Sequence, residues 1–271
     1  MPSDALTTAA EGKPKVSVIT VCFNDAENLQ TTIASVLGQS YRNIEFIIVD
    51  GGSRDSTLEV IRRHEARISK WISEKDAGIY DAMNKGLRLA TGDYLIFMNA
   101  GDAFHADDTI ESAMDRITRQ REKPLVAYGK AAIFGEDGSF LKELAPLRFA
   151  KKNLNMFATR TVCHQSVFVA RTVAPEYDTR FKFKAELDWY YRLLSATRDD
   201  QRLKLDLTVA DYKLGGKGEK GWKANELERI RVTRKNNRWL TFLALTPLFA
   251  LPLAFRLKLA AGRALRRPRR A

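Results

Sequence analysis

"VSVITVCFNDAENLQTTIASVLGQSYRNIEFIIVD", residues 16–50, decides the fold class. It opens with "VSVITVCF" (16–23), a continuous β-branched and apolar run of strand length, and closes with a second, "IEFIIVD" (44–50). Neither run alternates polar with apolar residues, as expected of parallel strands covered on both faces. Between them Leu29, Ile33, Val36 and Leu37 recur at helical spacing. Asn24 is placed as the N-cap of that helix, with Glu27 three residues on, as in a capping box.

The alternation continues outward. "SRDSTLEVIRRHEA" (53–66) predicts a helix, "ISKWISE" (68–74) a short strand, and "GIYDAMNKGLRLA" (78–90) a helix with Ile79, Met83, Leu87 and Ala90 on its buried face. "YLIFMN" (94–99) is the fourth strand. Strands separated by helices imply an α/β fold with a mainly parallel central sheet flanked by helices. Beyond residue 120 the pattern is mixed: a hairpin from "LVAYGKAAIF" (125–134) and "SFLKELA" (139–145), an apolar strand "TVCHQSVFVA" (161–170), a helix "AELDWYYRLLSA" (185–196) and a last strand "LKLDLTVADYKL" (203–214).

The formal charge of +12 suggests nucleic acid until it is located. Twelve basic residues lie from Arg229 onward and no Asp or Glu follows Glu228; without them, 33 basic residues face 33 acidic ones. The basicity therefore belongs to the end of the chain, and a neutral body argues against nucleic acid. The uncharged stretch "WLTFLALTPLFALPLAF" (239–255) lies among those charges. Its length is at the low edge of the roughly 17–25 residues that span a bilayer, and Pro247 and Pro252 interrupt a straight helix. A surface or re-entrant hairpin held on anionic lipid is expected, with an oligomer interface or core helices as the alternative. The expected division is a flexible leader at 1–14, a domain at 15–228 and a membrane-associating tail at 229–271. Cys22 and Cys163 sit in apolar runs and read as reduced, buried thiols, which favours a reducing compartment. The leader has no apolar core and is not a signal peptide.

In open α/β sheets ligands bind outside the carboxyl ends of the strands. Polar residues collect there: Asn24 and Asp25, then Asp50, then Glu74 and Asp76, then Asn99 and Asp102 in "NAGD". Capping accounts for Asp25 or Asp55, but four consecutive polar strand ends point to a ligand. Asp50 precedes "GGSRDST", where glycines let a ligand approach the backbone, and a carboxylate there can accept from a base N–H or a ribose hydroxyl. No dinucleotide fingerprint, phosphate-binding loop of the G-x-x-x-x-G-K-[ST] type, or zinc-type Cys/His cluster is present.

"VSVITVCFNDAENLQTTIASVLGQSYRNIEFIIVDGGSRDST" followed by "SEKDAGIYDAMNKGLRLATGDYLIFMNAGD" resembles the family 2 glycosyltransferases of GT-A fold, over about residues 15–105. The likeness is to the bacterial branch that builds exopolysaccharide, colanic-acid-like or O-antigen units. It implies that Val21 to Asn24 line the nucleoside pocket, that Asp50 holds the base with Gly51 and Ser53 beside it, and that Lys75 and Asp76 close over nucleotide and sugar. Asn84 and Lys85 are implied to face the same cleft. "NAGD" falls on the family's Asp-x-Asp-type metal motif with Asn99 in place of the first carboxylate, leaving Ala100 on the donor side and Asp102, with Asn99, as ligands of Mg²⁺ or Mn²⁺. Mg²⁺ needs only one or two carboxylates besides phosphate oxygens and water, so binding weaker than usual is expected.

The resemblance also implies a general base in "FKAELDWYYRLL" (183–194), with Asp188 preferred and Glu186 second. The two cannot share a helix face, and the other is expected to be an acid favoured by the helix dipole. His164 and Gln165 are implied to line the acceptor or diphosphate site, and Lys217 in the late loop "LGGKGEKGW" to pair with phosphate or to stay solvated. The function implied is inverting transfer of a sugar from a UDP- or GDP-sugar to a lipid-linked or polysaccharide hydroxyl. The protein is then cytoplasmic, attached to the inner face of the cytoplasmic membrane, with a homo-oligomer possible. Competing readings are a sugar-nucleotide nucleotidyltransferase, disfavoured because "VCFNDAEN" is not a basic glycine-rich loop, and a degenerate membrane-bound scaffold.

Overall fold

The first seven residues that can form a strand are buried without exception, and the sheet grows around them. The computed structural model describes residues 12–146, 148–151, 154, 162–215 and 222–236. Strand β1 (Val16–Cys22) pairs in parallel with β2 (Ile44–Asp50) on one side and β4 (Tyr94–Phe97) on the other, and β3 (Lys70–Ser73) pairs in parallel with β2. Beyond β4 the sheet turns mixed, running through β8 (Val167–Ala170), β6 (Val126–Phe134), β9 (Arg202–Lys213) and β5 (Ala103–Phe104), with β7 (Phe140–Leu144) hairpinned on β6. The β4–β8, β8–β6 and β9–β5 pairs are antiparallel and β6–β9 is parallel.

Because side chains alternate across a strand, β1 and β2 feed two cores. Val16, Val18, Phe46 and Ile48 pack under α1 (Ala26–Leu37), α2 (Thr57–Arg63) and α4 (Thr109–Thr118). Ile19, Val21, Ile47 and Val49 pack under α3 (Ile79–Leu89) and α5 (Ala185–Ala196). Each such fully buried aliphatic contributes about 1.5–3 kcal/mol.

Four local expectations change. The first helix starts at Ala26 with Asp25 before it, and Asn24 takes a left-handed φ of 48°. Asn tolerates that conformation, and its Oδ1 is drawn to the Arg54 N–H at 2.8 Å instead of capping. Ile79, the first residue of α3, is 46% exposed, while Tyr80 turns into the core. "HQS" (164–166) is a 3₁₀ turn ahead of β8, not strand. The boundary drawn at residue 228 falls inside α6 (Trp222–Asn236), whose Val232 is fully buried and whose Glu228 accepts the N–H groups of Lys182, Phe183 and Lys184. The basic helix end is thus part of the body. Among the described residues no helix is long and apolar enough to cross a membrane, and the stretch 239–255 lies outside them.

At the amino ends of the strands, the buried Glu45 ties four segments together. It accepts from Ser17 Oγ at 2.6 Å, Lys70 Nζ at 2.8 Å, Thr91 N at 2.7 Å and Thr91 Oγ1 at 2.8 Å. Burial pushes its pKa up, but the bonds from Lys70, Ser17 and Thr91 outweigh that and hold it at about 2. A lowered folded-state pKa stabilises above the unfolded value and is lost as pH falls toward about 2. Urea unfolding of Glu45→Gln should show a loss on the order of 1–3 kcal/mol at pH 7, discounted for solvent screening. The gap from the parent should narrow steadily between about pH 4.5 and 2.

Candidate active site

The carboxyl ends of β1 to β4 open on one side, and two acids organise the loops there. Asp50, fully buried, accepts from Gly52 N at 3.1 Å, Ser53 N at 2.9 Å and Ser73 Oγ at 2.6 Å, and also from Ser53 Oγ. Ser53 Oγ in turn accepts Asn24 N at 2.7 Å. Asp50, expected to hold the base, is thus engaged by the protein's own donors. It is the post that holds the β1 and β2 loops in place, because its acceptor positions are filled from within.

Above that post is an open shelf. A Cβ on Gly51 would stand 2.3 Å from Asp76 Oδ2 and 3.3 Å from the Phe23 ring. Only a glycine lets Asp76 lie on the backbone here. Phe23 is 46% exposed, whereas Val21 is buried in the core below α3. Phe23 is thus the exposed aromatic of this loop, and Val21 lies beneath it. Phe23 falls within the expected lining 21–24, but only the strand's alternation in three dimensions separates the two roles.

Lys75 and Lys85 lie at the edge of this shelf. Lys85 Nζ contacts Glu74 at 2.9 Å and Asp81 at 3.6 Å and donates to the Lys75 carbonyl at 3.1 Å, so its charge braces the 74–76 loop. Asn84 does not face the cleft. It is buried and exchanges two bonds with the Tyr177 backbone, at 2.9 and 2.6 Å, clipping that segment to α3.

The second acid is Asp102, at the close of the Asn99–Asp102 turn. Its Oδ2 accepts Gln165 Nε2 at 2.6 Å and its Oδ1 accepts Lys213 N at 3.2 Å. Only 4% of the residue is exposed. Burial drives its pKa up to about 7 although both bonds pull it down. Asn99 Nδ2 meets His164 Nε2 at 3.0 Å, and Asn99 Oδ1 is buried with no hydrogen-bond partner. His164 Nδ1 in turn lies 3.7 Å from Glu186 Oε1. Burial lowers the His164 pKa and outweighs the pull of Glu186, so the ring is neutral near pH 7. The Tyr80 hydroxyl also interacts with Glu186. Behind them Tyr80, Tyr177 and Trp189 stack, with centroids 5.4 and 5.3 Å apart.

The two acids of α5 part company. Glu186 is turned to His164 and Tyr80. Asp188 is fully buried, with Oδ2 accepting Arg192 Nε at 2.9 Å and Oδ1 accepting Lys235 Nζ at 2.7 Å and Asn236 Nδ2 at 2.9 Å. Positions two apart on a helix point about 200° from one another, and here one meets His164 and Tyr80 and the other meets Arg192 and α6. Asp188, the expected base, is thus enclosed, and Glu186, the second choice, keeps the more exposed carboxylate. Lys213, which sequence reasoning passed over, stands at the end of β9 with Nζ 3.3 Å from Asn28 Oδ1. Its only sequence signal is its place before the glycines that end the strand. Lys217 lies outside the described residues.

Two oxygen donors would be offered to a divalent cation here, the partnerless Asn99 Oδ1 and the Asp102 carboxylate, which keeps lone pairs beyond its two bonds. Both are hard ligands that fit Mg²⁺ or Mn²⁺. Among the described residues no group of three or more His, Cys, Asp or Glu could hold a metal. Any such ion would then complete its shell from phosphate oxygens and water. A separate cavity of about 400 Å³, lined by Lys13, Asp93, Tyr94 and Lys123 among others, lies at the opposite, amino end of the strands.

The sequence profile described as Glycosyl transferase family 2 matches residues 17–195, which takes in every element from β1 to α5. The chain belongs to glycosyltransferase family 2. It is 33% identical over 184 residues to the uncharacterized glycosyltransferase Rv1514c of Mycobacterium tuberculosis, covering 66% of this chain and 68% of that one. It is 31% identical over 193 residues to a PGL/p-HBAD biosynthesis glycosyltransferase of Mycobacterium bovis, covering 67% and 70%. Among solved structures, the Pyrobaculum calidifontis mannosyltransferase PcManGT in complex with GDP-Man and Mn²⁺ matches with a TM-score of 0.61 at 17% identity, over 93% of this chain and 76% of that. S. aureus TarS 1–349 in complex with UDP matches at 0.60 and 15%, over 88% and 75%; of the longer TarS chain the match spans 42%. These likenesses carry the fold, which is GT-A.

The division of labour in α5 is open to measurement. Asp188→Asn leaves Arg192 and Lys235, each about one-third exposed, facing a neutral amide, and should lower stability by about 1–2 kcal/mol in urea unfolding once solvent screening is allowed for. Glu186→Gln should shift the unfolding midpoint little, since Glu186 is partly exposed and holds no buried cation.

Proposed function

We propose that this glycosyltransferase moves a sugar, with inversion, from a UDP- or GDP-sugar to a hydroxyl of a lipid-linked or polysaccharide acceptor in bacterial surface polysaccharide synthesis. The observation that carries the proposal is Glu186, a carboxylate turned into the cleft beside the Asn99–Asp102 turn, with Tyr80 and His164 against it. The donor base stacks on Phe23 above Gly51, with Asp76 beside the ribose and sugar. Lys213 lies on the rim next to Asp102, where a diphosphate would pass.

In the transfer, Glu186 takes the proton of the acceptor hydroxyl as that oxygen bonds to the anomeric carbon from the face opposite the leaving group. The bond from the anomeric carbon to the phosphate oxygen breaks, and its electron pair leaves with the nucleoside diphosphate. Asp102 and Asn99 are the residues that would hold Mg²⁺ or Mn²⁺, which when bound neutralises charge on the diphosphate. The name of the M. bovis relative and the nucleotide complexes of PcManGT and TarS support the donor and pathway classes. So does a 35% identity over 139 residues, 49% of this chain and 46% of the other, to the amylovoran biosynthesis glycosyltransferase AmsB of Erwinia amylovora.

We further propose that the protein sits on the inner face of the cytoplasmic membrane through its basic, apolar end. The structure moves the start of that segment: four of the twelve late basic residues, Arg229, Arg231, Arg234 and Lys235, belong to α6. The remaining eight flank or follow 239–255 with no acid among them.

A panel of UDP- and GDP-sugars, each with and without Mn²⁺ and with a polyprenyl-linked acceptor, tests the reaction. Glu186→Gln should cut kcat by about 10²–10⁴-fold while UDP binding persists. A fully active Glu186→Gln enzyme would remove Glu186 as the base. Truncation after Asn236 should leave a folded enzyme that no longer sediments with anionic vesicles, and continued sedimentation would discard the membrane role of the tail.

A further inference from the structure

Asn99 stands where the family's metal motif carries a carboxylate, and its amide does something that a carboxylate cannot. Nδ2 donates to His164 Nε2 at 3.0 Å while Oδ1 faces away without a partner. An accepting Nε2 carries no hydrogen, so the proton of the neutral ring sits on Nδ1. That nitrogen is the one 3.7 Å from Glu186 Oε1. Turning the amide over would make Nε2 the donor and leave the bare Nδ1 lone pair facing a carboxylate, acceptor against acceptor. For a ring that carries one proton, only the first arrangement, the one in which Nδ2 faces Nε2, gives both nitrogens a complement.

The ring is also held in place. The Ser166 N–H closes the turn onto the Cys163 carbonyl at 2.9 Å, Gln165 is tied to Asp102, and Phe97 meets the imidazole edge-on at 6.3 Å. The side chain of His164 is 11% exposed and that of Glu186 is 30% exposed. The buried partner is thus placed to steer the more open one.

We propose that Asn99 and His164 are positioning residues for Glu186. Asn99 sets the tautomer of the imidazole, and the Nδ1–H directs one carboxylate oxygen so that the other meets the acceptor hydroxyl. The inference rests on Glu186 as the base. At 3.7 Å the contact is longer than a hydrogen bond, and it shortens into one in the loaded enzyme, where catalytic hydrogen bonds tighten. The asparagine of "NAGD" is on this account a selected donor, not a lost ligand.

Asn99→Asp is the discriminating variant, since it keeps shape but exchanges the donor for an acceptor. In the full chain labelled with ¹⁵N-histidine, the parent should show a His164 signal of the Nδ1–H form, assigned by its loss in His164→Asn. Asn99→Asp should move the proton to Nε2, where a carboxylate oxygen accepts it. Its kcat should fall by about tenfold or more, a part of what a general base contributes. The loss should persist at saturating UDP-sugar and saturating Mn²⁺, where a change in metal or donor affinity no longer contributes.

His164→Asn places an amide nitrogen near the position of Nδ1 and should retain more activity than His164→Gln, which places one near Nε2. Thermal melting and UDP binding establish that each variant is folded. An Nε2–H parent ring, an Asn99→Asp enzyme with unchanged or raised kcat, or equal losses in the Asn and Gln variants at 164 would each overturn the proposal. If the parent turns over but Glu186→Gln remains active, the base assignment falls and takes this inference with it. If Glu186→Gln is inactive and Asn99→Asp is not, only this inference falls.

Discussion

A carboxylate with no solvent exposure, Asp50, holds together the side of the molecule on which the chemistry takes place. Burying an ion is costly unless its acceptor positions are filled. Here they are filled by two backbone N–H groups and by hydroxyls from two loops. The β1 loop is tied on through Ser53 and Asn24. Because Asp50 cannot be satisfied unless those loops converge, it fixes where Gly51, Phe23 and Asp76 meet. Glu45 does the same at the opposite ends of the strands. The parallel sheet is thus clamped at both ends by buried acids, with apolar packing between them.

The second half of the fold is attached differently. The turn at Asn99–Asp102 is held from one side by Thr32 of α1, whose Oγ1 accepts the Gly101 N–H at 3.0 Å and lies 2.7 Å from the Asp102 carbonyl. From the other side come Gln165 and the end of β9. This turn is where the parallel half meets the mixed half. Phe23, Asp76 and Asn99 come from the first, and Glu186, His164 and Lys213 come from the second. A reaction between two substrates suits such a seam, since each half can carry one of them.

Periodicity carried the α/β alternation because strands buried on both faces leave an unbroken apolar run, as in "VSVITVCF" and "IEFIIVD". It failed where local preference and tertiary demand diverge. Asn24 reads as a cap but is taken by Arg54 N, and "HQS" reads as strand but turns so that two polar side chains reach Asn99 and Asp102. Asn84 is a cleft residue only as the family resemblance implies. Its partner is the backbone of Tyr177, 93 positions away, which no local pattern announces.

The sequence by itself determined the sheet-and-helix order, the strand ends at which polar groups collect, the absence of a phosphate-binding loop or zinc cluster, and a basic chain end following a neutral body. Tertiary structure decided which of those polar groups face the cleft. Asp50 and Asp188 are as acidic in sequence as Asp76 and Glu186. The first two are fully buried against donors that include Ser73 and Lys235 from other segments, and the second two stay partly exposed. Whether a carboxylate is a post or a reactive group depends on what fills its lone pairs. Those donors come from across the fold, so spacing along the chain could not reveal them.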